Sequence, residues 1–112
     1  MNLINLTPHA VVICSPSGEP VATIPPSGQV ARCAEQAQQV ATIELPGGVS
    51  VPVLRMAFGQ VEGLPEPAEG VGYIVSALVA SAVPHRTEVF GVAQPVRNPA
   101  GQVVGARALS VR

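Results

Sequence analysis

Three four-residue turns of one chemistry punctuate the chain: Ser15-Pro16-Ser17-Gly18, Pro25-Pro26-Ser27-Gly28 and Asn98-Pro99-Ala100-Gly101. Each puts proline second, where φ near −65° is already set. Each puts glycine fourth, where a left-handed residue closes a type I turn with a bulge. Pro46-Gly47-Gly48 is a looser version. Such turns mark the ends of short extended runs. Those runs are Ala10–Cys14, Val21–Ile24, Gln29–Cys33, Val40–Leu45 and Val49–Met56, rich in β-branched residues. The expected fold is therefore mainly β (α+β): an antiparallel meander of hairpins with one short buried helix near 76–83.

Alternation supports strands. In Val40–Leu45, Thr42 and Glu44 share one face and Ile43 and Leu45 the other. In Val49–Arg55 the valines share a face with Arg55. Pro52 cannot donate to a ladder, so its strand lies at an edge or is bulged there. From Phe58 to Gly72 the prolines, glycines and glutamates of Gln60–Gly70 predict a loop, with Gly70-Val71-Gly72 as a turn. Tyr73–Val75 then reads as a buried strand and Ser76 as a helix cap. Ala77–Val83 is small or apolar all round, which suits a helix buried on most sides. Pro84 stops it. Glu88–Arg97 and Gln102–Val111 pair around the last turn. A direct pairing of Tyr73–Val75 with Thr87–Val92 would need a crossover of about ten residues, near the minimum for parallel strands.

The chain has 112 residues, a length that suits a single domain, 1–112. Charged residues make up 12%, against roughly 25% in ordinary globular chains. So little charge on so apolar a chain predicts that part of the surface is hidden in a homo-oligomer. Net charge is −1, which argues against a nucleic acid polymer as partner. Met1–Leu6 lacks a basic start and a long apolar run, and no run approaches the ~20 apolar residues of a membrane span. A cytoplasmic protein without membrane contact is expected. Cys14 and Cys33 fall on the first and third strands of the expected meander, nearly 10 Å apart and beyond the ~7 Å Cα reach of a disulfide. Two free thiols follow.

Metal and cofactor chemistry find little support. His9, His85, Cys14 and Cys33 lack ligand spacing, and no phosphate-loop or dinucleotide fingerprint occurs. No metal and no cofactor is expected. With no aspartate to orient a histidine, a nucleophilic triad is hard to build. Glu62, Glu66 and Glu69 could supply paired carboxylates, but in a proline-rich loop they read as a solvated face. The expectation is a protein that is not an enzyme, with a small hydrolase as the third reading.

Arginine is the better lead, because guanidinium groups fork onto phosphates and carboxylates. Arg86 follows the helix, and Arg97 and Arg107 fall near-opposite across the last hairpin, beside Asn98. The competing reading pairs Arg86 with Glu88 and leaves Arg97 a solvated edge charge. Ser76 and the helix start offer backbone donors. Tyr73, Phe58 and Phe90 are the only aromatics, and Tyr73 and Phe90 are the candidates to stack on a ring. His9 ends a polar knot, Asn5-Leu6-Thr7-Pro8-His9, in which Asn5 and Thr7 can bond neighbouring backbone and fix a bend. A ligand contact there is the sharper alternative.

Ile4-Asn5-Leu6-Thr7-Pro8-His9, Tyr73-Ile74-Val75-Ser76 through Pro84-His85-Arg86, and Val96-Arg97-Asn98 with Gly101–Gly105 resemble a group of short bacteriophage and prophage proteins. The resemblance implies a phage setting and carries no biochemical function. By size and setting it suggests an anti-defence sponge, which binds a nucleotide immune signal without turnover. The leading expectation is such a protein, oligomeric, taking a small anionic nucleotide-like ligand with Arg86, Arg97, Arg107, Ser76, Tyr73, Phe90, Asn98 and His9. The alternative is a structural or assembly protein acting through subunit contacts.

Overall fold

A computed structural model describes residues 1–111. In chain order the elements are β1 (Asn2–Asn5), β2 (Val11–Cys14), β3 (Pro20–Ile24), β4 (Arg32–Leu45), β5 (Val49–Glu62), β6 (Val71–Ile74), α1 (Ala77–Ala82), β7 (Val89–Arg97) and β8 (Val103–Ser110). The protein is mainly β with one short helix and three antiparallel hairpins, β2–β3, β4–β5 and β7–β8. Two of the proline-glycine turns close hairpins as the sequence predicts. Gly18 and Gly101 take φ of 91° and 82°, and their amides donate to Ser15 and Asn98 carbonyls at 2.8 and 2.9 Å.

The hairpins do not form a meander. Six strands make one mixed sheet in the order β1-β6-β7-β8-β2-β3, while β4 and β5 pair only with each other. The turn at Pro25–Gly28 explains the difference. Its backbone is claimed by β1: the Ser27 amide donates to the Asn5 carbonyl at 3.0 Å, and the Ala31 amide to the Leu6 carbonyl at 3.0 Å. The chain is thereby led past the end of β1, so Gln29–Cys33 does not return beside β3. Cys14 and Cys33 end in different sheets, both as free thiols. A parallel bridge between Asn5 at the end of β1 and Pro26, two residues past β3, draws the ends of the two edge strands together.

Parallel pairings join β1 with β6, β6 with β7 and, at Ile13–Ala106, β2 with β8. The short crossover is real: Tyr73 pairs with Val89 and Ile74 with Phe90, and α1 bridges them. Ser76 caps α1, its hydroxyl accepting the Val79 amide at 3.3 Å. The helix ends at Ala82 with Val83 as its C-cap, one residue earlier than the apolar run suggests. Val79 and Ala80 are its buried positions, while Ala77 is exposed. A helix of small residues need bury only the face it turns to the sheet.

Tyr73 and Val75 face a core with Leu6, Ala31, Val79, Ala80 and Val89. Ile74, between them, is fully buried. Burial on both faces is why this strand is apolar without alternation. Strand β5 runs on to Glu62, so the loop is shorter than 58–72, and Val71-Gly72 begin β6. The β4–β5 ribbon was legible only in its outer half; Arg32–Gln39 lack apolar alternation and are carried as strand by pairing with β5.

Candidate functional site

The parallel strands β1 and β6 end side by side at Leu6-Thr7 and Val75-Ser76, where β2 and β8 begin. Carboxyl ends of parallel strands are where open sheets leave room for ligands. A cleft of about 370 Å³ lies there, with Thr7, His9 and Ser76 as its polar lining and Val12, Val92 and Val104 among its apolar walls. A second hollow of about 230 Å³ also borders Thr7 and Ser76 and is lined by Arg32, Cys33 and Leu78. Thr7 and Ser76 thus form the ridge between an apolar cleft and a hollow with a guanidinium.

The knot before His9 is built around Asn5, which is 1% exposed. Its amide nitrogen donates to the His9 carbonyl at 2.8 Å and to the Ile24 carbonyl at 3.0 Å. Its amide oxygen accepts the Thr7 backbone N–H at 2.9 Å and lies 2.7 Å from the Thr7 hydroxyl. One side chain therefore fixes the bend that carries Thr7 and His9 to the cleft, and ties it to β3. The sequence supplied Asn5 and Thr7 as the bend formers.

Of the eight candidate residues, His9 and Ser76 meet in the cleft. The arginines are dispersed. Arg86 pairs with Glu88, and its Nη2 donates to the Pro65 carbonyl at 2.8 Å. Its guanidinium holds the Glu88 carboxyl below its ordinary value, chiefly through their hydrogen bond. Arg97 donates to the Gly101 carbonyl at 2.8 Å, inside its own turn. Arg107 donates to the Pro16 carbonyl at 3.2 Å and so holds the β2–β3 turn. Arg97 and Arg107 are not opposite one another. Arg97 pairs with Val103, whereas Ala106 and Ala108 flank Arg107 and pair with Pro95 and Ala93. The short turn alone separates them: Arg107 lies four residues beyond Val103 along β8, and the register shift at Val96/Arg97 moves the pairing by one residue.

Tyr73 is 3% exposed, within the core, and its hydroxyl donates to the Glu66 carbonyl at 3.3 Å. No face of its ring is open for stacking. The Phe90 ring packs over Gly72, where an added Cβ would stand 2.8 Å from it. Asn98 organises its turn, its side-chain oxygen accepting the Gln102 amide at 3.0 Å. Glu66 and Glu69 are exposed in the loop, and Glu62 ends β5 opposite Arg32. Among the described residues no three His, Cys, Asp or Glu side chains gather to hold a metal ion, and no helix is long and apolar enough to cross a membrane.

Sequence reasoning did not single out Thr7 or Arg32 as lining residues. Thr7 carried a signal, since it stands between two residues of the knot. Arg32 carried none, because only the chain crossing at Pro25–Gly28 brings it beside Ser76. The chain matches no protein-family model, no curated protein and no solved structure.

Proposed function

We propose that this protein binds and sequesters a small nucleotide-type anion in the cleft at the carboxyl ends of β1 and β6, without turning it over. The observation that carries this reading is the convergence of His9 and Ser76, far apart in sequence, on one cleft with Thr7 between them. The apolar walls suit a ring, and the hydroxyls and imidazole supply the few convergent polar groups a small-molecule site needs. Phosphate recognition passes in this reading to Arg32 in the adjoining hollow, because Arg86, Arg97 and Arg107 are engaged with backbone elsewhere. In the phage setting that the resemblance implies, the ligand is a defence signal in the host cytoplasm.

The chain has no tryptophan and one tyrosine, so a retained nucleotide dominates absorbance at 260 nm after incubation and desalting. Retention of one member of a panel of linear and cyclic nucleotides, recovered unaltered, is the expected result. Arg32→Ala and Ser76→Ala should each weaken it about tenfold, the loss of one charge-assisted or helix-start contact. Retention of none of the panel overturns the reading, and recovery of an altered nucleotide replaces it with the hydrolase. A second reading, assembly through subunit contacts, is favoured by one observation, the uncovered apolar face of the β4–β5 ribbon.

A further inference from the structure

The β4–β5 ribbon carries its own amphipathic pattern. Residues paired across an antiparallel ladder share a face. The pairs Leu45–Val49, Ile43–Val51 and Ala41–Val53 therefore put six apolar side chains on one face of the outer half. The alternate pairs, Glu44–Ser50 and Thr42–Pro52, put polar groups and a proline on the other, where the Ser50 hydroxyl bonds the Glu44 carboxylate at 2.8 Å. Strict alternation of this kind is the pattern of strands with one buried face. Yet Ile43, Leu45, Val49 and Val51 remain 53%, 46%, 54% and 39% exposed. An isolated two-stranded hairpin is at best marginal in water.

We infer that this apolar face is the interface between two copies of this chain. The six side chains of the outer half are all apolar, and the first charge on that face is Arg55, nearer the root and paired with Gln38, so the outer half gives a charged partner no complement while a second copy matches it by symmetry. A lipid surface calls for a cluster of basic residues, and the ribbon offers none beside this patch: Glu44 at the tip is acidic and Arg55 stands alone on the face. The face exposes on the order of 400 Å² per copy, within the range of the largest patch on a monomer, which is often functional. Two such faces bury about 800 Å², the size of a weak, concentration-dependent interface.

The interface stands whether or not the cleft takes a ligand, and mass rather than ligand retention reads it. Light scattering on the wild-type chain is expected to give at least twice the single-chain mass. The double variant Ile43→Glu with Val51→Glu should give the single-chain mass with its far-ultraviolet β signal kept. Thr42→Glu, on the opposite face, should keep the wild-type mass. A chain in which residues 37–56 are replaced by two glycines should also be a folded monomer, and it decides the matter if the double variant misfolds. A wild-type chain that is monomeric at its highest soluble concentration overturns the inference, including one that instead binds vesicles or another protein. So does an unchanged mass in the double variant or in the shortened chain.

Discussion

Asn5 illustrates how much one polar side chain can organise when buried. Its amide meets carbonyls from two separate segments and accepts the amide of Thr7. Removing it takes the amide donor from the Ile24 carbonyl, leaves the His9 carbonyl to the Thr7 hydroxyl alone and empties a fully buried position, and the penalty for an unmet buried group exceeds the net worth of a made bond. Asn5→Ala should cost about 2–4 kcal/mol, read as a fall in Tm of roughly 10 °C or more. Asn5→Asp should be no better, since a carboxylate has nothing to donate to the His9 and Ile24 carbonyls. The knot was legible in the sequence because asparagine and threonine favour local backbone bonds. Its reach to Ile24, nineteen residues away, was not, because that contact depends on where β3 ends.

At the scale of elements, the loop after β5 is held by two side chains, one from β6 and one from the turn between α1 and β7. Tyr73 bonds the Glu66 carbonyl and Arg86 bonds the Pro65 carbonyl, while Glu88 keeps the Arg86 guanidinium in place. The sequence marked Arg86 and Tyr73 as ligand contacts and did not reveal that both face a loop backbone. Because Glu88 titrates below the ordinary value of 4.5, its stabilisation is present in full above that value and is lost as pH falls through the lowered folded value. Glu88→Gln should therefore cost about 1 kcal/mol near neutrality. Thermal melts of the two proteins should converge as the pH drops below 4.5. A gap that persists unchanged in acid would remove the ion pair from the account.

Across the whole molecule, the outline is longer than a chain of this length requires. The radius of gyration is 17.8 Å, against about 13 Å for a compact domain of similar size. The extents of 54 × 39 × 23 Å are consistent with a 14-residue ribbon that would itself span roughly 46 Å. The root of the ribbon rests on α1 and adds Cys33 and Val61 to the core, but its outer half touches little else. Amides of that half should exchange rapidly in a monomeric variant and slowly in the wild-type chain at high concentration, with protection rising as concentration rises. Low overall charge hinted at a covered surface, and alternation in Val49–Val53 marked the face. That the same chain leaves it bare could only be seen once β4 and β5 were found to pair with nothing else.

The strand order has a consequence for how the chain is made. β1 pairs with Val71–Ile74, and Ile13 of β2 pairs with Ala106. β1 must therefore wait for a partner from the later half of the chain, and β2, which can pair with β3 at once, waits for β8. The β4–β5 hairpin, closed by a three-residue link, can form long before them, with its oily face already in water. Folding of the body is a late, long-range event, slow by the rule that distant contacts close slowly. During that interval neighbouring nascent chains would present their ribbons to each other ahead of any finished sheet.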